Sequence, residues 1–351
     1  MKLEIWPSAT GPVQAGTRQT RPWSGATCAR ALSVALLLLV NAMTSVPADA
    51  ATGTAGCGQP AQTGDTTQTL PFGGLSRTFL VHVPIGYNSN LPQPLIVHLH
   101  GLVGDAVGEE AITGMSSVAD AQGFIVVYPN GTTGADGITS GWNAAFPGNN
   151  PPTRLTSQFT NWLAVDDQGF LSAMVAHLGQ EYCVDSSRIG MTGYSDGGFM
   201  AFHMACVGAP WLASIAPVGV TQPWVLSASD CSFGHPVSLL DFHGENDWWD
   251  SYWGWLIHPT VPQTMASYAA SQGCGGVPQS ASIASDVVET SYAPCQHPNI
   301  AVQLYSITDG GHEWPGGLDL SVLGLGYTTK TINASQLIGT FVSAHPLQAG
   351  S

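Results

Sequence analysis

The chain has 351 residues, of which 44% are apolar and only 9% charged, with eight Lys and Arg in all and a formal net charge of −15. So few basic side chains argue against any surface that tracks phosphates, and so against nucleic acid and anionic membrane as partners. The high apolar fraction excludes a disordered chain, and the length suits one large α/β domain acting on a neutral substrate.

In chain order, Arg18, Arg21 and Arg30 precede an apolar run, Ala31 to Val40 (ALSVALLLLV), and small residues follow up to Ala48-Asp49-Ala50. This is the layout of an export signal with an A-x-A cleavage site, and the run is too short to span a bilayer as a mature helix. Residues 1–50 are expected to be a signal peptide and leader; an uncleaved anchor is the alternative. The long stretch before the run leaves a downstream start codon open. Thr54-Ala55-Gly56-Cys57 faintly resembles a lipoprotein box but lies too far beyond the run. Residues 51–75, opening rich in Thr, Gly and Gln, read as a loose lead-in, and 76–351 as a single catalytic domain without repeats or long linkers.

Beyond residue 50 the chain carries Cys57, Cys183, Cys206, Cys231, Cys274 and Cys295. An even count in an exported chain predicts three disulfides, with fifteen possible connectivities. No C-x-x-C occurs, so a zinc site is not expected, nor any other metal or cofactor.

From residue 76 strands and helices alternate. Arg77–Val83 (RTFLVHV) reads as a strand, and Leu95–Leu99 (LIVHL) and Phe124–Tyr128 (FIVVY) as strands buried on both faces. Phe170, Leu171, Met174, Val175 and Leu178 recur at helical spacing, predicting a helix over 166–180 with Asp166 and Asp167 at its positive end. Those two acids could ligate a metal, but a helix start prefers acids anyway. A strand is expected at Arg188–Thr192, a helix at Phe199–Cys206, and strands at Val237–Phe242 and Val302–Ile307. The alternation predicts a mostly parallel central sheet with helices on both faces.

The strand at 188–192 runs into GYSDGG, a G-x-S-x-G pattern centred on Ser195. A serine on a sharp strand-to-helix turn stands clear of the sheet, and only glycine fits on either side of it. A serine hydroxyl needs a base, and the base an orienting acid. In this fold the chain order is serine, acid, histidine. The strand ending at Phe242 leads into His243-Gly244-Glu245-Asn246-Asp247, which offers Asp247 as the acid, with Glu245 and Asp250 as rivals. The strand ending at Ile307 leads into a glycine-rich loop holding His312, the base. His258, His297 and His345 follow no buried strand in this way. Amides of Asp196 and of Leu102, in the loop His100-Gly101-Leu102-Val103-Gly104, are the expected oxyanion donors.

Residues 248–255 read WWDSYWGW. Trp248 and Trp249 beside the acid, with Trp314 beside the base, are candidate substrate-binding residues; core packing or a lid is the bland alternative. Asn130-Gly131-Thr132 and Asn333-Ala334-Ser335 fit glycosylation sequons, of consequence only in a eukaryotic secretory route.

The motifs RTFLVHVP, HLHG, GWN, VDDQGFL, YCVDSSRIGMTGYSDGGFMAFHMAC, HGENDWW, GGHEWPGG and INASQLIGTFVSAHP together resemble the exported α/β-hydrolases that include poly(3-hydroxybutyrate) depolymerase-like proteins and feruloyl or acetyl xylan esterases. The resemblance covers roughly residues 57–346. It implies the α/β-hydrolase fold, Ser195 as nucleophile, Asp247 as acid, His312 as base, and Leu102 and Asp196 at the oxyanion positions. It also implies the disulfides Cys206–Cys231, Cys274–Cys295 and Cys57–Cys183. The tryptophan-rich stretch after the acid departs from the family pattern. The expected activity is secreted serine carboxylester hydrolysis through an acyl-enzyme, on feruloyl or acetyl esters of plant cell-wall polysaccharide. Poly(3-hydroxybutyrate) or its oligomers are the alternative substrate. A non-catalytic carbohydrate-binding protein and a peptidase are more distant readings. Oligomeric state is not legible.

Overall fold

The structure, a computed structural model, describes residues 52–134, 140–144, 165–221, 231–254 and 259–347. These fall within one unit, Asp49–Ser351. The expected leader, residues 1–50, lies outside the described residues, as do Trp255 and His258.

Strands are numbered in chain order. The first four are β1 (Gly64–Phe72), β2 (Leu75–Val83), β3 (Gln93–Leu99) and β4 (Ile125–Pro129). A short pair follows, β5 (Thr132–Thr133) and β6 (Ser140–Gly141). The rest are β7 (Val184–Tyr194), β8 (Ser214–Val218), β9 (Ser238–Gly244), β10 (Gln279–Ala284), β11 (Val287–Ser291) and β12 (Val302–Ile307). The helices are α1 (Ala106–Thr113), α2 (Met115–Gln122), α3 (Asp167–Glu181), α4 (Asp196–Cys206), α5 (Val261–Ser271) and α6 (Ala334–Ala344).

Ten strands make one sheet in the order β1-β2-β4-β3-β7-β8-β9-β12-β11-β10. From β4 to β12 the neighbours are parallel, and the flanking strands are antiparallel. The apolar runs are continuous because side chains point alternately to two cores. Val97, Val127, Met191 and Leu239 face one core with α3, α4 and α5. Ile96, Val126, Ala216 and Leu240 face the other with α1, α2 and α6. Helices therefore cover both faces, as the sequence predicts for an α/β-hydrolase.

Strand order locates the site. After β3 the chain steps outward to β4, then returns to the opposite side of β3 as β7. Such a reversal opens a crevice at the carboxyl ends of the two strands, where ligands bind in doubly wound sheets. The loop after β3 begins at His100, and the turn after β7 is Ser195.

The acids at the start of α3 have structural partners. Asp166 caps the helix, accepting from the Gly169 amide at 2.7 Å. Asp167 is buried against Arg77 at 2.7 Å, and the Arg77 guanidinium lies 3.9 Å above the Phe170 ring centroid.

One expectation is corrected. Residues 51–75 are not a loose lead-in, because Gly64–Phe72 is β1, paired along its whole length with β2. Its burial alternates residue by residue, and β-branched Thr66, Thr67 and Thr69 suit a pleated, half-buried edge. Upstream, the Thr54 amide donates to Val184 O at 3.1 Å and Cys57 is bonded to Cys183. The remaining bridges are Cys206–Cys231 and Cys274–Cys295, the same three pairs that the resemblance implies. Both sequon asparagines are engaged: Asn130 with Thr78 and the Ala106 amide, Asn333 as the cap of α6.

Arg77→Ala leaves the Asp167 carboxylate buried without its cation. It is expected to destabilise the protein by about 3–5 kcal/mol, read as a lower urea midpoint.

Candidate active site

Ser195 sits between β7 and α4 with φ 53° and ψ −117°, a conformation costly for any non-glycine residue. The surroundings enforce it. A Cβ on Gly193 would lie 2.4 Å from the Gly197 carbonyl carbon, and one on Gly197 would lie 2.3 Å from Leu99 O. The G-x-S-x-G spacing is thus a packing requirement of strand against helix. The Ser195 amide donates to Val218 O at 3.0 Å.

His312 and Asp247 converge on this serine from the loops after β12 and β9. Ser195 Oγ lies 2.9 Å from His312 Nε2, and His312 Nδ1 lies 2.7 Å from Asp247 Oδ2. Both Asp247 and His312 are buried. The other Asp247 oxygen accepts the Trp249 and Asp250 amides at 2.8 and 2.9 Å. Of the three rival acids, Asp247 is the one bonded to His312. Glu245 contributes its backbone to Ile307 O, and Asp250 accepts the Thr221 amide at 3.1 Å. Burial, partly offset by the charge of His243, pushes the Asp250 carboxyl above its usual range.

The loop after β3 lies against the elbow, where a Cβ on Gly101 would approach Ser195 Cβ to 3.4 Å. His100 fixes the loop from within. Its Nε2 accepts the Gly131 amide at 2.9 Å, so its Nδ1 carries the proton and donates to Gly101 O at 2.7 Å. Desolvation lowers the His100 pKa, which agrees with a neutral ring. Asp196 is the first residue of α4, where amides have no acceptor within the helix. Leu102 follows Gly101 in the exposed part of the loop.

The tryptophans divide. Trp248 and Trp249 are 64% and 60% exposed, their rings 4.7 Å apart, with Trp249 6.2 Å from the His312 ring. Trp248 Nε1 donates to Gly324 O at 3.1 Å, tying this wall to the segment after the histidine loop. Trp314 departs from the expectation of substrate contact. It is a core residue, 1% exposed, stacked on His98 at 4.8 Å and donating to Ser335 Oγ at 3.0 Å. Its place beside the base in sequence does not place it beside the base in space, because the Gly-rich loop turns it inward.

Sequence reasoning passed over three residues. His243 lies behind the acid, with Nε2 2.7 Å from Asp250 O and 3.6 Å from Asp247 Oδ2. Asp241, two residues earlier on the same face of β9, is fully buried, and desolvation raises its pKa well above the usual range. Trp142 bonds both the elbow and the His100 loop. His243 and Trp142 were visible only as letters of the HGENDWW and GWN motifs. For a metal, among the described residues Asp65, His82 and Glu110 bring three potential ligand atoms within 4.8 Å of one another. The His82 nitrogens already face Asp65 and Asp120 at 2.6 and 3.1 Å.

No family model matches the sequence. Feruloyl esterase C of Emericella nidulans is 28% identical over 297 residues, covering 81% of this chain and 91% of that protein. The bifunctional acetylxylan esterase/xylanase XynS20E of Neocallimastix patriciarum is 29% identical over 174 residues, half of this chain and 22% of that longer protein. An acetyl xylan esterase from Aspergillus awamori superposes with a TM-score of 0.52 at 16% identity, over 71% of this chain and 94% of that one, a likeness of fold. Relatives and fold together identify the chain as a carboxylic ester hydrolase of the α/β-hydrolase fold, akin to the feruloyl and acetylxylan esterases.

Proposed function

We propose that the protein is an exported serine esterase that releases feruloyl or acetyl groups from plant cell-wall polysaccharide. The observation that carries the reading is the unbroken hydrogen-bonded chain Ser195–His312–Asp247 beside the Gly101–Leu102 loop. In it His312 Nε2 takes the Ser195 proton as Oγ attacks the ester carbonyl carbon, and the carbonyl electron pair moves to oxygen. Asp247 holds His312 with its proton on Nδ1 and stabilises the imidazolium. The Leu102 and Asp196 amides receive the oxyanion, each contributing about 3–4 kcal/mol to the barrier reduction. Collapse expels the alcohol, which takes the proton from His312. Water then enters by the same route and frees the acid. None of these steps uses a cofactor.

Export is supported by the basic-then-apolar layout of residues 18–50 and by three disulfides in the remaining chain. The choice of acyl group is supported by the names of the feruloyl and acetylxylan esterase relatives. Trp248 and Trp249 suit the acid side of the ester, since their faces offer rigid apolar area within reach of His312. A second reading, cleavage of poly(3-hydroxybutyrate) or its oligomers, is favoured by further exposed apolar groups: Trp253 in the same stretch, and Val322 and Leu323 just before Gly324, to which Trp248 is bonded.

Ser195→Ala is expected to abolish turnover and labelling by a fluorophosphonate while thermal unfolding stays cooperative; retained turnover refutes the nucleophile. Asp247→Asn is expected to lower kcat by about 10⁴-fold through the wrong His312 tautomer. Trp248→Ala and Trp249→Ala are expected to raise KM for methyl ferulate by roughly fivefold or more, the size of a lost aromatic contact, and to leave p-nitrophenyl acetate nearly untouched. Equal effects on the two esters sink the aromatic-wall assignment. Clearing of a poly(3-hydroxybutyrate) film with feeble ferulate release selects the second reading.

A further inference from the structure

The two amides assigned to the oxyanion belong to segments far apart in the chain, one after β3 and one at the start of α4. A short stretch, Ser140 to Asn143, is bonded to both. Its Ser140 carbonyl accepts the Val103 amide at 2.9 Å, and the Ser140 hydroxyl donates to Gly104 O at 2.5 Å. The Trp142 indole N–H donates to His100 O at 2.9 Å, so both ends of the His100–Gly104 loop are held. The Trp142 backbone amide donates to Asp196 Oδ2 at 2.8 Å, which joins the stretch to the elbow. Asn143 anchors it in turn, its amide donating to Asp167 Oδ2 at 2.7 Å, beside the buried Arg77. The loop needs such restraint. Val103, a β-branched residue, has φ 59°, a region that strains it.

We propose that Trp142 and the Asp196 carboxyl are positioning residues that clasp the β3 loop to the elbow and so fix the separation of the Leu102 and Asp196 amides before substrate arrives. This rests on the reading of those amides as the oxyanion donors. A misplacement of about 1 Å at a reacting centre costs on the order of 10²-fold in rate.

The clasp carries its own signature. Asp196 is held in the first turn of α4, which favours a carboxylate. Desolvation outweighs the Trp142 hydrogen bond and, with Asp167 nearby, pushes its pKa up to about 7. Asp167, itself paired with Arg77, is the charged group that acts on it. When ionised, Asp196 accepts the Trp142 amide in a charge-assisted bond; when protonated it holds it less tightly. The clasp therefore tightens as pH rises through about 7. Stability moves the opposite way. The folded state binds this proton more firmly than the unfolded chain does, so its contribution is full below the ordinary value of 3.8 and is lost as pH rises to about 7.

The test is kcat and KM from pH 5 to 9 for the wild type, Trp142→Phe, Asp196→Ala and Asp196→Asn, with melting temperatures alongside. Trp142→Phe and Asp196→Ala are expected to lower kcat by about 10–100-fold with KM within about twofold, the pattern of a lost transition-state contact. Asp196→Asn, which keeps an oxygen for the Trp142 amide, is expected to recover most of the loss in Asp196→Ala. It is also expected to melt higher than the wild type at pH 8 but not at pH 4. Wild-type kcat in both Trp142→Phe and Asp196→Ala overturns the proposal, as does an Asp196→Asn variant no better than Asp196→Ala. Should Asp196→Ala fail to fold, Trp142→Phe decides alone, since it removes the indole donor to His100 O while the Trp142 backbone amide and its bond to Asp196 stay in place. Fluorophosphonate labelling separates the two failures. A protein labelled at Ser195 but indifferent to these changes loses the clasp and keeps the serine mechanism, whereas an unlabelled wild type loses the mechanism itself.

Discussion

The proposed active centre is built around a steric conflict between β7 and α4. At their junction the chain turns so sharply that Ser195 adopts a positive φ, and Gly193 and Gly197 approach the backbone too closely to bear a side chain. Local hydrogen bonds from the Gly198 and Phe199 amides to Ser195 O begin the helix at the turn. The turn is held by the parallel sheet beneath it and by the buried face of α4, whose Met200, Phe202, Met204 and Cys206 pack into the core. Strain concentrated at one residue is tolerable because a large, well-packed scaffold over-determines its position. The serine oxygen emerges at the strand-order reversal between β3 and β7, and the loops after β9 and β12 need only reach it from one side.

Charge is handled with the same economy. The chain carries many more acids than bases, yet several of its acids are buried. Asp167 is neutralised by Arg77 and Asp247 is saturated by two amides and His312. Burial raises the pKa of Asp196, Asp241 and Asp250, at Asp250 against the opposing pull of His243. These three lie at or beneath the catalytic loops, so electrostatic strain and backbone strain collect in one place. If the site receives the transient negative charge proposed for it, acids nearby that resist ionising limit their repulsion of that charge.

Much of this was legible in the sequence. LIVHL and FIVVY could only be strands buried on both faces, and the serine, acid and histidine each follow such a strand. What was misread had weaker local signals. In β1 the alternation is carried by threonines and glutamine, so a half-buried edge resembled a polar lead-in. β10 is exposed at nearly every position, and only its pairing with β11 defines it. Trp314 sits one residue from the triad loop's own Glu313, but its direction is decided by His98 and Ser335, distant in sequence. Trp142 appeared only as a letter of the GWN motif, because its meaning lies in partners 42 and 54 residues away.

The disulfides have a consequence for how the chain is assembled. After residue 50 the cysteines occur in the order 57, 183, 206, 231, 274, 295, and each is bonded to its immediate successor or predecessor, with spans of 126, 25 and 21 residues. If the chain is exported as proposed and residues 1–50, with Cys28, are removed, each cysteine meets its correct partner before any wrong one as the chain emerges. Oxidation in order of emergence yields this one connectivity of the fifteen available to six cysteines without reshuffling. On that route the slow isomerisation that burdens interleaved disulfide patterns would not be needed.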